Sequence, residues 1–247
     1  ELVKRLHKNN LDLKKLDIQK SEFISLVSHR LRGPLSNIYG YISMLLEGDY
    51  GDVPAHLKER MTRIYQSTSF LGFLVNDFLN VSRIDKGEME YTIEDFDISD
   101  FLSKTVPEFS VSAEAAKLDL IREFGDVDKI VVRADKNKIK QIISNLLDNA
   151  IKYTPKGFVS VNLTQSRTEA ILAIKDSGLG LTQKIKNQLF KKFIRDVNAS
   201  KVNVTGSGLG LYVASMMSKG MNCKIWAESA GENQGTTFYV EIPLAKN

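Results

Sequence analysis

Gln141-Ile142-Ile143-Ser144-Asn145-Leu146-Leu147-Asp148-Asn149-Ala150-Ile151-Lys152-Tyr153 holds two patterns at one helical spacing. Ile142, Ile143, Leu146, Leu147 and Ala150 make the apolar stripe of a helix laid against a core. Asn145, Asn149 and Lys152, at i, i+4 and i+7, share the opposite face. Amide oxygens suit a hard cation such as Mg²⁺, a lysine ammonium meets phosphate, and Tyr153 offers a flat surface for stacking. A solvated polar stripe has the same spacing, so this face acquires meaning only with its neighbours.

Outward from this helix the chain alternates. Residues 129–132, 158–163, 170–174 and 237–242 are short runs of strand-forming residues. Helices are expected near 98–116, 135–152 and 208–219. This alternation predicts an α+β (α/β) sandwich over 92–247, with strands in one layer and helices in the other. At the end of one strand lies Ile174-Lys175-Asp176-Ser177-Gly178-Leu179-Gly180. A carboxylate there can accept a hydrogen bond from an adenine amino group, and the glycines let backbone approach a ligand. Gly206-Ser207-Gly208-Leu209-Gly210-Leu211 opens a further helix, where free N–H groups and the positive dipole end suit phosphate. Neither the dinucleotide fingerprint nor the P-loop fits these glycines. Between the two segments, Leu189-Phe190-Lys191-Lys192-Phe193-Ile194-Arg195 leads into a polar stretch to Thr205, the pattern of a lid.

The first 87 residues follow another grammar. Leu2, Leu6, Asn9, Leu13, Leu16, Lys20, Phe23 and Val27 recur at steps of three and four, a coiled-coil seam with two polar interruptions. Residues 1–20 are accordingly expected to be a coiled-coil lead-in helix. The pattern continues through Leu35, Ile38, Ile42 and Leu45 and stops at Gly48-Asp49-Tyr50-Gly51-Asp52-Val53-Pro54. A second run (Leu57, Met61, Ile64, Leu71, Leu74, Phe78, Val81, Ile84) ends near Lys86-Gly87, a helix C-terminus. Residues 21–87 thus form a helical hairpin, whose thin core calls for pairing into a dimeric four-helix bundle. A short linker at 87–91 joins the two parts.

Composition excludes other classes. The 247 residues are 43% apolar and 26% charged, an ordinary globular balance. A net charge of +4 with no polybasic block argues against nucleic-acid binding. No run is apolar enough to span a bilayer, and the lone Cys223 forms no intrachain disulfide, which suits a reducing cytoplasmic compartment. The chain is expected to be a cytoplasmic fragment of a longer protein, with a membrane-anchored parent compatible with this reading.

His29 stands in Phe23-Ile24-Ser25-Leu26-Val27-Ser28-His29-Arg30-Leu31-Arg32-Gly33-Pro34-Leu35, whereas His7 and His56 read as surface residues. A neutral imidazole is a nucleophile near pH 7, and Pro34 would bend the helix beside it. This segment resembles the phosphoacceptor box of the sensor histidine kinases of two-component systems. Asn145–Tyr153 resembles that family's N box, Asp176–Gly180 its G1 box, Phe190–Arg195 its F box and Gly206–Leu211 its G2 box. Gly235-Thr236-Thr237-Phe238 is similar to its final strand. Five boxes in order cover nearly the whole chain.

The resemblance implies that His29 takes the γ-phosphoryl group of ATP and passes it to an aspartate on a response regulator receiver domain. It implies a homodimer, with a sensor domain upstream. Asn145, with Asn149 beside it, would hold Mg²⁺, and Lys152 would contact phosphate. Tyr153 would flank the adenine and Asp176 would recognise it. Gly178, Gly180, Gly206, Gly208 and Gly210 would shape the pocket and lid, with Arg195 as a further phosphate contact. Two positions depart from the family pattern. Arg30 replaces the usual acid after the histidine, and Gly33 replaces the usual Thr or Asn. These substitutions motivate weak phosphatase action and slowed autophosphorylation. They also motivate an alternative, an ATP-binding dimeric scaffold without catalysis. A third reading, an ATPase of the topoisomerase, chaperone or mismatch-repair type, leaves the histidine hairpin without a use.

Overall fold

The computed structural model describes residues 2–124, 129–194 and 206–245 and, towards the start of the first helix, only some of the side chains. The chain divides into two compact units, Glu1–Met89 and Glu90–Asn247.

The first unit is a helical hairpin. Helix α1 (Leu2–Glu47) carries Pro34 inside it and continues to Glu47. Gly48 and Gly51, both at positive φ, make the turn expected at 48–54, and α2 (Ala55–Lys86) begins after Pro54. At its far end Gly87 is left-handed. Its N–H and that of Glu88 donate to the carbonyls of Ile84 and Arg83 at 3.0 and 2.8 Å, satisfying acceptors that the helix leaves orphaned. Leu35, Val75 and Leu79 pack together as a buried cluster between the helices. Arg32 donates to the Asn76 side chain at 3.0 Å, and the Tyr39 and Tyr65 rings stack with their hydroxyls bonded. The apolar run read along α2 divides here. Val81 of that run is buried, Met61, Leu74, Phe78 and Ile84 are half-buried, and Leu57, Ile64 and Leu71 stay exposed, as do Leu31 and Ile38 on α1, while the buried Val75 and Leu79 lie outside the run. The seam expected in residues 1–20 falls largely on side chains outside the described residues.

The second unit is a sandwich. Its elements are β1 (Glu94–Asp97), α3 (Ile98–Thr105), a 3-10 turn (Val106–Phe109), α4 (Ser110–Ala115), β2 (Leu118–Arg122), β3 (Val131–Ala134) and α5 (Lys136–Lys152). They continue with β4 (Gly157–Gln165), β5 (Glu169–Asp176), α6 (Gln183–Lys186), α7 (Gly210–Gly220), β6 (Lys224–Glu228) and β7 (Thr236–Pro243). A five-stranded sheet runs β2-β4-β5-β7-β6, and β1 pairs with β3 separately. The β2–β4 pair is parallel and the other neighbours are antiparallel. Burial alternates along β7, so Thr236, Phe238, Val240 and Ile242 face inward. They join Val159, Val161, Leu172 and Ile174 of the sheet, Ile142, Ile143, Leu146 and Leu147 of α5 and Val213 and Met217 of α7 in the buried core, with α5 packed on β4, β5 and α7.

The α/β sandwich expected from the sequence is present, with three corrections. The single helix expected at 98–116 is broken, because Pro107 lacks an N–H and the chain tightens into the 3-10 turn around it. The strand expected at 129–132 lies at Val131–Ala134. Strands β1, β2 and β6 went unread. All three are short and carry charged residues, and β1 and β2 pair with strands beyond intervening elements, whereas β6 pairs with the next strand, β7.

Candidate functional site

Helix α5 owes its position to Asp135. Its side chain caps the helix, accepting from the N–H groups of Asn137 and Lys138 at 2.9 and 3.0 Å, and also from that of Thr92 at 2.8 Å. Ten residues on, Asn145 is 5% exposed and its amide nitrogen donates to the Gly210 carbonyl at 3.1 Å. A Cβ at Gly210 would sit in ordinary contact with that amide, 3.6 Å from its oxygen. The polar face of α5 therefore meets the glycine-rich start of α7. Asn149 is half-buried one turn further, Lys152 is exposed, and Tyr153 ends the helix half-buried.

Asp176 closes β5 and is 3% exposed. Its Oδ1 accepts from the N–H of Gly178 at 2.9 Å and that of Thr236 at 3.2 Å. Burial pushes its carboxyl up to about 6, against the pull of those two donors. The turn after it needs its glycines. A Cβ on Gly178 would overlap the Tyr153 carbonyl, and Gly180, at φ +66°, lies with its backbone on the Gly231 carbonyl. Leu179 N–H donates to the Tyr153 carbonyl at 3.1 Å, so the end of α5 and this turn are one unit. The Ser177 hydroxyl accepts from the Phe158 N–H at 2.9 Å and ties the same turn to β4.

Gly208 is at φ +68°, and its carbonyl accepts from the Phe193 N–H at 2.9 Å. Phe193 is itself left-handed and 59% exposed, an uncommon state for a bulky residue. Lys192 lies 5.0 Å over the Tyr212 ring. Gly206 is half-buried with open space around it. Arg195 and most of the polar stretch to Thr205 lie outside the described residues.

Helix α5, which carries Asn145, Asn149 and Tyr153, thus meets Gly210 at the start of α7 and, at its own end, the Asp176–Gly180 turn, while Gly208 is tied to Phe193. Among the described residues no group of three or more His, Cys, Asp or Glu is arranged to hold a metal ion. Sequence reasoning missed three participants. Thr236 supplies a donor to Asp176 across the sheet. Thr154, 3% exposed, bonds the Ala150 carbonyl at 2.7 Å beneath Gly178. Asp148 has its carboxyl raised by burial, with the Lys152 ammonium pulling the other way. Its i, i+4 spacing to Lys152 was the available signal.

In the hairpin, His29 lies on α1, and its side chain is outside the described ones. Arg30 is exposed, and a side chain at Gly33 would meet no atom within 4 Å. His7 and His56 are exposed. No helix among the described residues is long and apolar enough to cross a membrane.

Residues 19–87 match the family model of the His Kinase A (phospho-acceptor) domain. Residues 134–246 match that of the histidine kinase-, DNA gyrase B-, and HSP90-like ATPase. The sensor histidine kinase WalK of Bacillus subtilis is 31% identical over 233 residues, 93% of this chain and 37% of that protein. The circadian input-output histidine kinase CikA of Synechococcus elongatus is 31% identical over 226 residues, 91% of this chain and 30% of that protein. The chain therefore spans about a third of the length of the curated relatives it matches. Among solved structures, full-length ShkA in complex with AMPPNP superposes with a TM-score of 0.72 at 24% identity, over 92% of this chain and 46% of that one, a likeness of fold. The catalytic domain of the histidine kinase ThkA reaches 0.53 at 25% identity, over 63% of this chain and 98% of that one. A phosphoacceptor-type hairpin followed by an ATPase-type sandwich, in one chain and in this order, makes the protein a member of the sensor histidine kinases of two-component systems, of which it carries the catalytic core.

Proposed function

We propose that this chain autophosphorylates on His29 from ATP and passes the phosphoryl group to an aspartate of a response regulator receiver domain. The observation that carries the nucleotide half of this reading is the Asn145–Gly210 bond. It commits the donor side of the amide to α7 and leaves its oxygen as the side for a cation. Asn145, with Asn149 one turn on, would hold Mg²⁺, which supplies charge neutralisation on the phosphates. The backbone N–H groups at the start of α7 and the Lys152 ammonium face the same negative charge. At the other end of the pocket the Asp176 carboxylate accepts the adenine amino hydrogen. The Gly178 and Gly180 backbone lies close beside it, and Tyr153 flanks the base.

In the transfer step an imidazole nitrogen of His29 attacks the γ-phosphorus. The P–O bond to the β-phosphate breaks, ADP leaves and an N–P bond forms. The receiver aspartate then attacks that phosphorus and frees the imidazole. Such chemistry rests on positioning and charge neutralisation more than on covalent assistance. Arg30, beside the nucleophile, disfavours the cationic imidazole that must lose its proton, which slows the first step. Gly33 offers no side chain to orient water, which weakens phosphatase action.

The homodimer follows from the hairpin. Leu31 and Ile38 on α1, and Leu57, Ile64 and Leu71 on α2, are each seven residues apart and all more than 40% exposed. That is the spacing of a seam awaiting a second hairpin.

Incubation with radiolabelled Mg-ATP tests the activity, comparing the chain with His29→Ala. The label is expected on the first alone, labile in acid and stable in alkali. ATP binding without any label on either protein would sink the kinase reading.

A further inference from the structure

The loop joining β6 to β7, residues 229–235, belongs to none of the motifs that identified the nucleotide pocket. It is nevertheless knitted to the Gly178–Leu181 turn that borders the pocket. The Asn233 N–H donates to the Leu179 carbonyl at 2.6 Å, and the Gly235 N–H to the Gly178 carbonyl at 3.0 Å. Gly180 rests with its backbone on the Gly231 carbonyl, where any side chain would collide.

Ser229 stands at the centre of this seam. Its hydroxyl accepts from the Leu181 N–H at 3.0 Å and the Gly231 N–H at 3.3 Å. It donates to the Gly235 carbonyl at 2.7 Å, with the Gly231 carbonyl at 3.2 Å as the alternative. A serine hydroxyl has one hydrogen and two lone pairs, so this one is used in full. Leu181 directly precedes Thr182, whose side chain caps α6. Gly235 directly precedes Thr236, whose N–H holds Asp176. One hydroxyl therefore ties the exit of the Asp176 turn to the residue beside Asp176's own donor.

We infer that Ser229 is a positioning residue of the nucleotide pocket, which sets affinity for the adenine end of ATP without touching the nucleotide. The inference rests on the nucleotide reading above and adds a residue that reading does not contain. Removing the hydroxyl orphans the Leu181 N–H and the Gly235 carbonyl, and the turn loosens on the side where adenine would lie. The loss falls on the base end, so it is the same for adenosine, ADP and ATP. A defect at the phosphate end would instead grow with the number of phosphates.

The test uses the whole chain as wild type, Ser229→Ala and Ser229→Thr. Calorimetric titration with adenosine, ADP and Mg-ATP is run beside initial autophosphorylation rates. Ser229→Ala is expected to weaken all three ligands by roughly tenfold, the cost of an unpaired, part-buried amide. The KM for ATP should rise to match, with kcat within about twofold. Ser229→Thr keeps the hydroxyl and should recover to within about threefold of wild type. If Ser229→Ala melts below the assay temperature, Ser229→Cys carries the same comparison, because it keeps the volume while bonding poorly. Wild type that binds nucleotide while Ser229→Ala binds it equally well overturns this inference alone. A loss confined to ATP, or a fall in kcat at constant KM, overturns it too. Wild type that binds none of the three ligands defeats the nucleotide reading itself, and this inference with it.

Discussion

The hairpin and the sandwich reach stability by different routes. In the sandwich, side chains such as Ile142, Ile143, Leu146, Leu172, Ile174 and Met217 have no solvent exposure, and the sheet packs against both α5 and α7. In the hairpin the buried cluster is Leu35, Val75 and Leu79, while Leu57, Ile64 and Leu71 face solvent on a heptad spacing. Two helices offer each other one stripe apiece, so a hairpin leaves half its apolar surface unused, whereas a sheet with helices above it completes a core alone. A pocket built on a finished core is held in place before any partner arrives. A phosphoacceptor helix whose core is finished by a second copy ties its chemistry to assembly.

Five substitutions press on that contrast. The largest effect is expected from Leu146→Ala, which empties a fully buried site in the sandwich. It should lower that unit's unfolding free energy by about 3 kcal/mol in urea titration, with the hairpin's own transition unmoved. Ile64→Asp tests the other side. A carboxylate in the exposed seam should raise the dimer dissociation constant by about a hundredfold, read by analytical ultracentrifugation, with ATP affinity unchanged. Equal loss of nucleotide binding would break the division between the units.

Asp176→Asn comes next, weakening Mg-ATP binding by roughly tenfold through loss of a charged acceptor. The same residue carries a pH signature. Its carboxyl is raised from 3.8 to about 6 in the folded protein, so the folded state holds a proton that the unfolded chain releases between those values. Its contribution to stability is therefore full below the ordinary carboxylate value and lost as pH rises through about 6. Wild type should gain sandwich stability on acidification from pH 7 to 5, Asp176→Asn should not, and ATP affinity should fall over the same interval. The smallest effects belong to the hairpin surface. Arg30→Glu should speed autophosphorylation by about fivefold, below the full range of general base catalysis because the site already works without it. Gly33→Thr, with open space at its Cβ, should leave folding intact and raise dephosphorylation of the phosphorylated regulator.

Much of this protein is written locally. The apolar stripe of α5, the glycine stops at Gly48 and Gly87, and the glycine-rich segments at 176–180 and 206–211 each place an element through contacts a few residues apart. Asp148 could have been found the same way, from its spacing to Lys152. Other features lie beyond such reading. Strands β1, β2 and β6 are too short and polar to declare themselves before their partners are known, whereas the break at Val106–Phe109 is local, since Pro107 interrupts an otherwise helical pattern.

Sequence by itself determined the helical hairpin, the sandwich class and the order of the motifs, and it nominated the side chains proposed to bear the chemistry. Tertiary structure alone decided how those side chains are held. Asn145 meets Gly210 across 65 residues, Asp176 meets Thr236 across 60, and Leu181 meets Ser229 across 48. It also decided that the stripe of α2 would split into a buried part and an exposed one. The physical reason is common to all of these. Periodicity and backbone preference act within a turn or two of chain, but a hydrogen bond or a burial depends on which distant segment the sheet brings alongside.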